Sequence, residues 1–175
     1  MEVTTLNILN VIGTWIAAIG TVGAVITSLW LASSNNKVKL RISANSSFLV
    51  VPGVSGHKEV CLINIANIGT RPIKINNIGW YIGKGKKKIQ LIQNTNGSTT
   101  GTMPKTLMEH EDISIDIAFV NNNVNWIEDM AKLASKYDIN TLQIVATTNI
   151  GITFREKADS SLINSIKEKQ KGLYN

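Results

Sequence analysis

The sequence predicts a mainly β protein: an N-terminal transmembrane α-helix followed by an antiparallel immunoglobulin-like β-sandwich with one or two peripheral helices. Two patterns support this fold class. A long apolar stretch without charge opens the chain, and about eight short segments of alternating apolar and polar residues follow it, separated by polar turns. This arrangement favours antiparallel sheets over a parallel sheet with crossover helices.

The apolar stretch is the strongest signal in the sequence. Between Glu2 and Lys37 there is no Asp, Glu, Lys or Arg. As a helix, Leu6–Leu31 would extend about 39 Å, enough for a hydrocarbon core of about 30 Å. A buried core helix rarely needs this length, and a signal peptide has a basic start and a shorter apolar region. We therefore expect an uncleaved transmembrane anchor over residues 1–36.

The flanking charges predict the orientation of this span. Lys37, Lys39 and Arg41 follow it, whereas Glu2 and the terminal amine precede it. Since Lys and Arg are retained on the cytoplasmic side, we expect the N-terminus outside and the following domain in the cytoplasm. Cys61 is the single cysteine, so an intramolecular disulfide is excluded and a reducing compartment fits.

Small residues at spacings of three or four line one face of the span: Gly13, Ala17, Gly20, Ala24 and Ser28. Such a stripe lets two helix backbones approach closely, which predicts helix–helix association and a homo-oligomer. Gly and Ala are also common in spans that face lipid, so a plain anchor remains the alternative.

Residues 37–156 form the predicted cytosolic sandwich. Its candidate strands are Lys37–Ala44, Phe48–Val51, Glu59–Asn67, Ile73–Ile82, Lys88–Ile92, Ile113–Phe119, Thr141–Thr148 and Ile152–Arg155. Within the fourth candidate the alternation slips by one residue, which predicts a β-bulge near Asn76 and Asn77 and places Trp80 in the core. Glycines at Gly83–Gly85 predict the turn of a hairpin.

Two segments have helical periodicity. The first spans about residues 123–137 within the sandwich, with Asn123 as its cap and an apolar stripe formed by Trp126, Ile127, Met130, Leu133, Ala134 and Tyr137. The second, residues 157–175, predicts a basic C-terminal helix or tail. It begins near Ser160 and buries little beyond Leu162, Ile163 and Ile166.

Basic residues outnumber acidic ones by 18 to 12. This excess fits a domain that faces an anionic membrane surface as well as nucleic acid. The candidates for contact with anionic lipid or a partner are Lys37, Lys39, Arg41, Lys84, Lys86, Lys87 and Lys88. A solvated hairpin tip is the alternative for the last four. No aromatic residue lies between those lysines, which argues against nucleic acid.

One acidic cluster, Glu109–Asp112 with Asp116, is a candidate for catalytic or metal chemistry. However, His110, Asp112 and Asp116 share an outward parity on a strand whose other face is apolar, and His57 lies apart in a loop. We therefore expect no catalytic residue, no metal site and no cofactor, and a protein that is not an enzyme.

Four stretches together resemble a diffuse group of small, uncharacterised bacterial membrane proteins: NVIGTWIAAIGTVGAVITSLWLA, INIANIGTRPIKINNIGW, MPKTLMEHEDISIDI and TTNIGITFREK. The resemblance implies a single-pass protein of the bacterial inner membrane that carries an immunoglobulin-like domain. It implies no catalytic residues. Where this chain has Glu111 and Asp112, the pattern of the group has a turn glycine.

These patterns together favour a membrane-tethered interaction module, a non-catalytic adaptor whose partners are the lipid bilayer and an unknown protein. The alternative is an oligomerising single-pass effector, of toxin or phage-defence type, that perturbs the bilayer with the β-sandwich as its sensor. An enzyme built on the Glu109–Asp116 cluster is a third hypothesis.

Overall fold

The computed structural model describes residues 2–35, 37–50, 56–121 and 124–174. The chain divides into two compact units, Met1–Lys37 (unit 1) and Val38–Asn175 (unit 2). Three residues used in the sequence-based predictions lie outside the described residues: Val51 at a strand end, Asn123 as a helix cap and Asn36 at the end of the anchor.

Unit 1 is described as one helix, α1 (Glu2–Asn35). Its segment Val3–Ser33 is long and apolar enough to cross a membrane, with a mean hydropathy of 1.8, and none of its most apolar window is buried. The hydroxyls of Thr14, Thr21 and Thr27 each donate to the carbonyl oxygen four residues earlier at 2.8 Å, as does Ser28. The helix thus satisfies these polar side chains internally.

Unit 2 contains a three-stranded antiparallel sheet in the order β1-β2-β6, formed by β1 (Leu40–Leu49), β2 (Lys58–Asn67) and β6 (Asp112–Ala118). The prediction of two strands before residue 52 is wrong. Asn45, Ser46 and Ser47 form the polar middle of one continuous strand, because they pair with β2 without interruption. Pairing to a neighbouring strand here overrides the weak local β-propensity of Asn and Ser.

The second antiparallel sheet has the order β10-β9-β3-β4, and β5 also pairs with β3. Its strands are β3 (Ile73–Lys84), β4 (Lys87–Gln93), β5 (Lys105–Leu107), β9 (Gln143–Thr148) and β10 (Thr153–Lys157). A separate small hairpin joins β7 (Val120–Asn121) to β8 (Val124–Asn125). The sequence patterns had not predicted β5, β7 or β8.

The predicted bulge lies in β3. The register between β3 and β9 shifts between Ile75 and Asn77, which confirms the prediction. Because the bulge inserts one residue, Ile75 and Ile78 both face the core and are fully buried. Trp80 is only 1% exposed, so its predicted core position is also confirmed.

Alternating side chains of both sheets enter one buried cluster. On β2 the inward residues are Cys61, Ile63 and Ile65, all fully buried. Each of them pairs with an inward isoleucine of β6. Unit 2 is therefore mainly β, with two helices packed on it, as the sequence predicts at this level.

Helix α2 (Trp126–Ala134) closes one side of this core. It begins later than expected because β8 precedes it, and its cap is Asn125, whose side-chain oxygen accepts a hydrogen bond from the Glu128 N–H at 3.2 Å. The Trp126 ring lies 5.6 Å from that of Trp80 and stacks on Phe119 at 5.8 Å.

Helix α3 (Ser160–Tyr174) contributes to the same core. Leu162 and Ile166 are fully buried and Ile163 nearly so. The helix packs on α2 and β1, and the Ser165 hydroxyl donates to Ser46 Oγ of β1 at 3.2 Å. Its first half therefore belongs to the fold of unit 2. Of the lysines that follow, Lys167 and Lys169 are partly buried and Lys171 is exposed.

Replacing Ile166 with alanine should destabilise unit 2 by about 2–5 kcal/mol, because the change removes fully buried methyl groups from the core. Urea unfolding of the full chain in detergent micelles measures the loss. The control is Lys171→Ala on the exposed part of α3, which should change stability by less than about 0.5 kcal/mol. Similar small effects of both variants would show that α3 is a dispensable tail.

Candidate interaction surface

Unit 2 has two ends that the strand register defines. We call the end at which β1 begins the near end; there Leu40 pairs with Asn67, the last residue of β2. At the far end Leu49, the last residue of β1, pairs with Lys58. The Asn67 side chain donates to the Arg71 carbonyl oxygen at 2.8 Å, so the turn into β3 also lies at the near end.

Strand β3 carries the chain from the near end to the far end. Its length, Ile73 to Lys84, corresponds to about 36 Å at about 3.3 Å per residue. The predicted contact residues consequently separate into two groups. Lys39 and Arg41 lie exposed at the near end and follow Lys37, the last residue of unit 1, whereas the hairpin lysines lie at the far end.

The hairpin that carries these lysines has a two-residue turn. Lys84 pairs with Lys87, so Gly85 and Lys86 form the turn, one position later than expected. Gly85 has a φ of 58° and Gly83 a φ of 102°. A side chain at Gly83 would also collide with the Lys87 carbonyl oxygen, so glycine is required there. The turn and the strand ends beside it carry four exposed lysines: Lys84, Lys86, Lys87 and Lys88.

The basic character continues from Lys88 onto the outer face of the five-stranded sheet. Lys88 pairs with Gly83 on this face, and Tyr81 lies on the same side of β3. The guanidinium of Arg155 stacks 4.5 Å from the centre of the Tyr81 ring, a cation–π contact. Lys157 joins the same face of β10. The far end thus combines hairpin lysines with a basic, partly aromatic sheet face.

A shallow hollow of about 400 Å³ adjoins this face, lined by Tyr81, Lys84, Asp138, Asn140 and Lys157 among others. Hydrogen bonds from Asn140 hold the pKa of Asp138 below its ordinary value, and the positive charges of Lys84 and Lys167 act in the same direction. The hollow therefore contains one ionised carboxylate among cations.

A larger open groove of about 800 Å³ lies elsewhere at the far end, between β1, the β7 strand and α3. Phe48 and Val120 line it and are 61% and 62% exposed. The His57 ring meets the Phe48 ring edge-on at 4.8 Å. Sequence reasoning missed this groove, because its walls come from segments far apart in the chain.

The acidic cluster does not form one site. Glu109–Asp112 lies in an exposed turn in which His110 has a φ of 61°, and the Glu111 carboxylate accepts from the Met108 N–H at 2.8 Å. Asp116 lies four residues along β6 from Asp112, about 13 Å away. Within the described ranges, no group of three or more His, Cys, Asp or Glu side chains is arranged to hold a metal ion.

Asp116 is 3% exposed, although its outward parity predicted a solvent-facing side chain. The segment Ser98–Gly101 covers it. Its carboxylate accepts from the Ser98 hydroxyl at 2.7 Å and from the N–H groups of Thr99 and Thr100 at 2.7 and 2.9 Å. Burial alone raises the pKa of this carboxyl, but the hydrogen bonds together outweigh burial and lower the pKa.

The small-residue stripe of α1 lies open. Gly13, Ala17, Gly20, Ala24 and Ser28 are all exposed. A side chain built at Gly13 or Gly20 would meet no other atom within 4 Å. This face of α1 therefore has room for the close approach of another helix.

Comparison with known proteins assigns no family. No protein-family model matches the chain, and no curated protein matches it. A crystal structure from Bordetella pertussis, provisionally described as an ApaA protein, is 13% identical with a TM-score of 0.32, covering 69% of this chain and 88% of that one. A second structural-genomics structure is 12% identical with a TM-score of 0.29, covering 71% and 84%. Similarity of this degree defines no function for the chain.

Replacing Asp116 with asparagine should cost about 1–3 kcal/mol at neutral pH, because the buried hydroxyl and N–H donors lose a charged acceptor. Since the pKa is lower in the folded chain, the stabilisation is present above the ordinary Asp pKa and disappears as pH falls through the lowered value. The free energies of unfolding of the wild type and the variant, measured with urea, should therefore differ at neutral pH and become equal at acidic pH. Exposed Asp112→Asn serves as the control; an equal cost there would contradict the prediction.

Proposed function

We propose that this protein is a membrane-tethered interaction module, non-catalytic and single-pass, in which α1 is the anchor and unit 2 presents its far end to a protein partner. The observation that carries the proposal is α1 itself. Its Val3–Ser33 segment is apolar, and none of its most apolar window is buried. Exposed apolar surface costs about 25 cal/mol per Å² in water, so a helix like this requires a cover on all sides.

A bilayer provides that cover and also explains the hydrogen bonds within α1. In hydrocarbon every polar group must find a partner inside the protein. The hydroxyls of Thr14, Thr21, Thr27 and Ser28 already have one in the helix backbone. The segment also extends about 46 Å as a helix, more than the hydrocarbon core of about 30 Å.

We further propose that unit 2 is an immunoglobulin-like sandwich. Apart from the short β5, β7 and β8, its strands divide into β1-β2-β6 and β10-β9-β3-β4. Immunoglobulin domains likewise combine their first, second and fifth strands in one sheet and their third, sixth and seventh in the other; the fourth strand, β4 here, differs because it pairs with the third strand and not within the first sheet. Trp80 on β3 also corresponds to the tryptophan that such domains bury on their third strand.

The two basic groups receive different partners in this proposal. Lys37, Lys39 and Arg41 follow the anchor directly, so we assign them to anionic headgroups on the cytoplasmic side of the bacterial inner membrane. Within unit 2 the far-end hairpin lies about one β3 length from Lys39 and Arg41, and we assign it to a protein partner. Tethering raises the effective concentration of unit 2 for partners at the same membrane.

A fluorescent protein that matures only in the cytoplasm, fused at the C-terminus, should fluoresce, and the fusion should stay in the membrane fraction after alkaline carbonate washing. The charges after the span are the reason for this orientation. A matched fusion to a phosphatase that is active only in the periplasm should be inactive. Strong phosphatase activity would contradict the orientation, and release by carbonate would contradict the anchor.

The open stripe of α1 favours a second candidate, an oligomerising membrane effector that perturbs the bilayer. A side chain at Gly20 has free space in the isolated helix, so a neighbouring helix can approach there. In this case unit 2 would act as the sensor, and the associated α1 helices would perturb the bilayer.

Replacing Gly20 with isoleucine should weaken self-association several-fold in a membrane two-hybrid assay, because a branched side chain keeps two backbones apart at the stripe. Gly23→Ile is the matched control. Gly23 also has open space around it but lies about 60° around the helix axis from Gly20, outside the stripe. Equal responses, or none, would support the plain anchor and contradict the effector.

A further inference from the structure

Each exposed sheet edge is a row of unpaired backbone groups, and unit 2 covers several of its own. The edge of β1 is bonded by the start of α3, where the Asp159 N–H donates to the Ala44 carbonyl oxygen at 2.9 Å and the Ser46 N–H to Ser161 Oγ at 3.2 Å. Strand β10 lies against β1. Neither edge is open along its whole length.

The segment Ser98–Gly101 covers the edge of β6. The Asp116 N–H donates to Ser98 Oγ at 3.2 Å, and the Thr100 hydroxyl donates to the Ser114 carbonyl oxygen at 2.9 Å. Side chains of one loop therefore replace a neighbouring strand, and the buried Asp116 carboxylate fixes that loop in place.

The edge of β4 has no such cover in the described part of the chain. Strand β4 pairs only with β3 there. Because Lys84 and Lys87 close a two-residue turn as a hydrogen-bonded pair, the alternate residues Lys88, Gln90 and Ile92 direct their N–H and C=O groups away from β3. No described hydrogen bond reaches these groups.

The charged and apolar residues along this edge indicate which kind of segment it can bind. Strand β4, KKIQLIQ, contains no acidic residue, and its exposed lysines continue into the turn. Ile92 is 76% exposed, so the other end of the strand offers an apolar contact. The lysines repel a second positively charged edge and attract a negatively charged one.

We propose that the β4 edge binds an extended, acidic segment of a partner protein as an added strand, with carboxylates opposite Lys86, Lys87 and Lys88 and an apolar side chain near Ile92. The inference rests on the interaction-module function and names the chemistry of its partner. Backbone hydrogen bonds supply the binding in this mode, and side chains supply the selectivity.

The test uses the full wild-type chain in uncharged detergent micelles and a fluorescein-labelled synthetic peptide of alternating glutamate and valine that carries consecutive valines at one end, so that an apolar side chain can also lie near Ile92. Anisotropy should report binding that weakens with added salt. In two further peptides, alternate amides of one parity or the other are N-methylated. Methylation of the parity that faces β4 should weaken binding roughly tenfold or more, and methylation of the other parity should have little effect.

Variants of the chain identify the edge. Gln90→Pro removes an outward N–H on an edge strand, where proline is tolerated, and should abolish binding, whereas Gln90→Ala keeps the N–H and should bind. The triple change Lys86→Glu, Lys87→Glu and Lys88→Glu should also abolish binding. Its matched control is Lys37→Glu, Lys39→Glu and Arg41→Glu, which makes the same change in charge at the other group and should bind normally.

Three outcomes would overturn the inference. No binding of the peptide refutes an acidic strand partner. Binding without dependence on the methylated parity refutes strand pairing and leaves a purely electrostatic contact. A dimer of the chain that Gln90→Pro abolishes assigns the edge to a second copy. None of these outcomes alters the carbonate and reporter results, so the inference can fail while the tethered module stands.

Discussion

The central position of β2 determines how the rest of unit 2 is arranged. Both neighbours in its sheet pair with it, and its inward side chains Cys61, Ile63 and Ile65 are fully buried. A shift of one residue would turn this whole face to solvent, so the register is strongly constrained. Asn67 fixes the end of the strand, because its side chain bonds the Arg71 and Met108 carbonyl oxygens at 2.8 and 2.9 Å.

Polar side chains connect the parts that apolar packing alone would leave free to slide. The Gln93 Oε1 atom accepts both indole N–H groups, of Trp80 and Trp126, at 2.9 Å. One amide oxygen thus joins β4, β3 and α2. Asp116 similarly attaches a loop to β6. Because hydrogen bonds are directional, they specify one arrangement of these elements. Hydrophobic burial is non-directional and favours any compact arrangement.

The sequence predicted the features whose causes are local. Alternation over β3 indicated the bulge and the burial of Trp80, and helical spacing indicated α2. The sequence patterns failed to predict features that depend on contacts between segments far apart in the chain. The polar middle of β1 is a strand because β2 pairs with it, and Asp116 is buried because residues from 98 onward cover it. The position of β4 at the edge of its sheet follows from strand order, which no local pattern contains.

The four tryptophans divide equally between the two units, and this gives the protein two separate optical reporters. Trp15 and Trp30 on α1 are both 68% exposed, whereas Trp80 and Trp126 lie in the core of unit 2, 5.6 Å apart. A quencher carried on lipid chains would act on the first pair if α1 lies in a bilayer. The second pair is close enough for its near-ultraviolet dichroism to follow the packing between β3 and α2. Insertion and folding are therefore measurable in one unlabelled molecule.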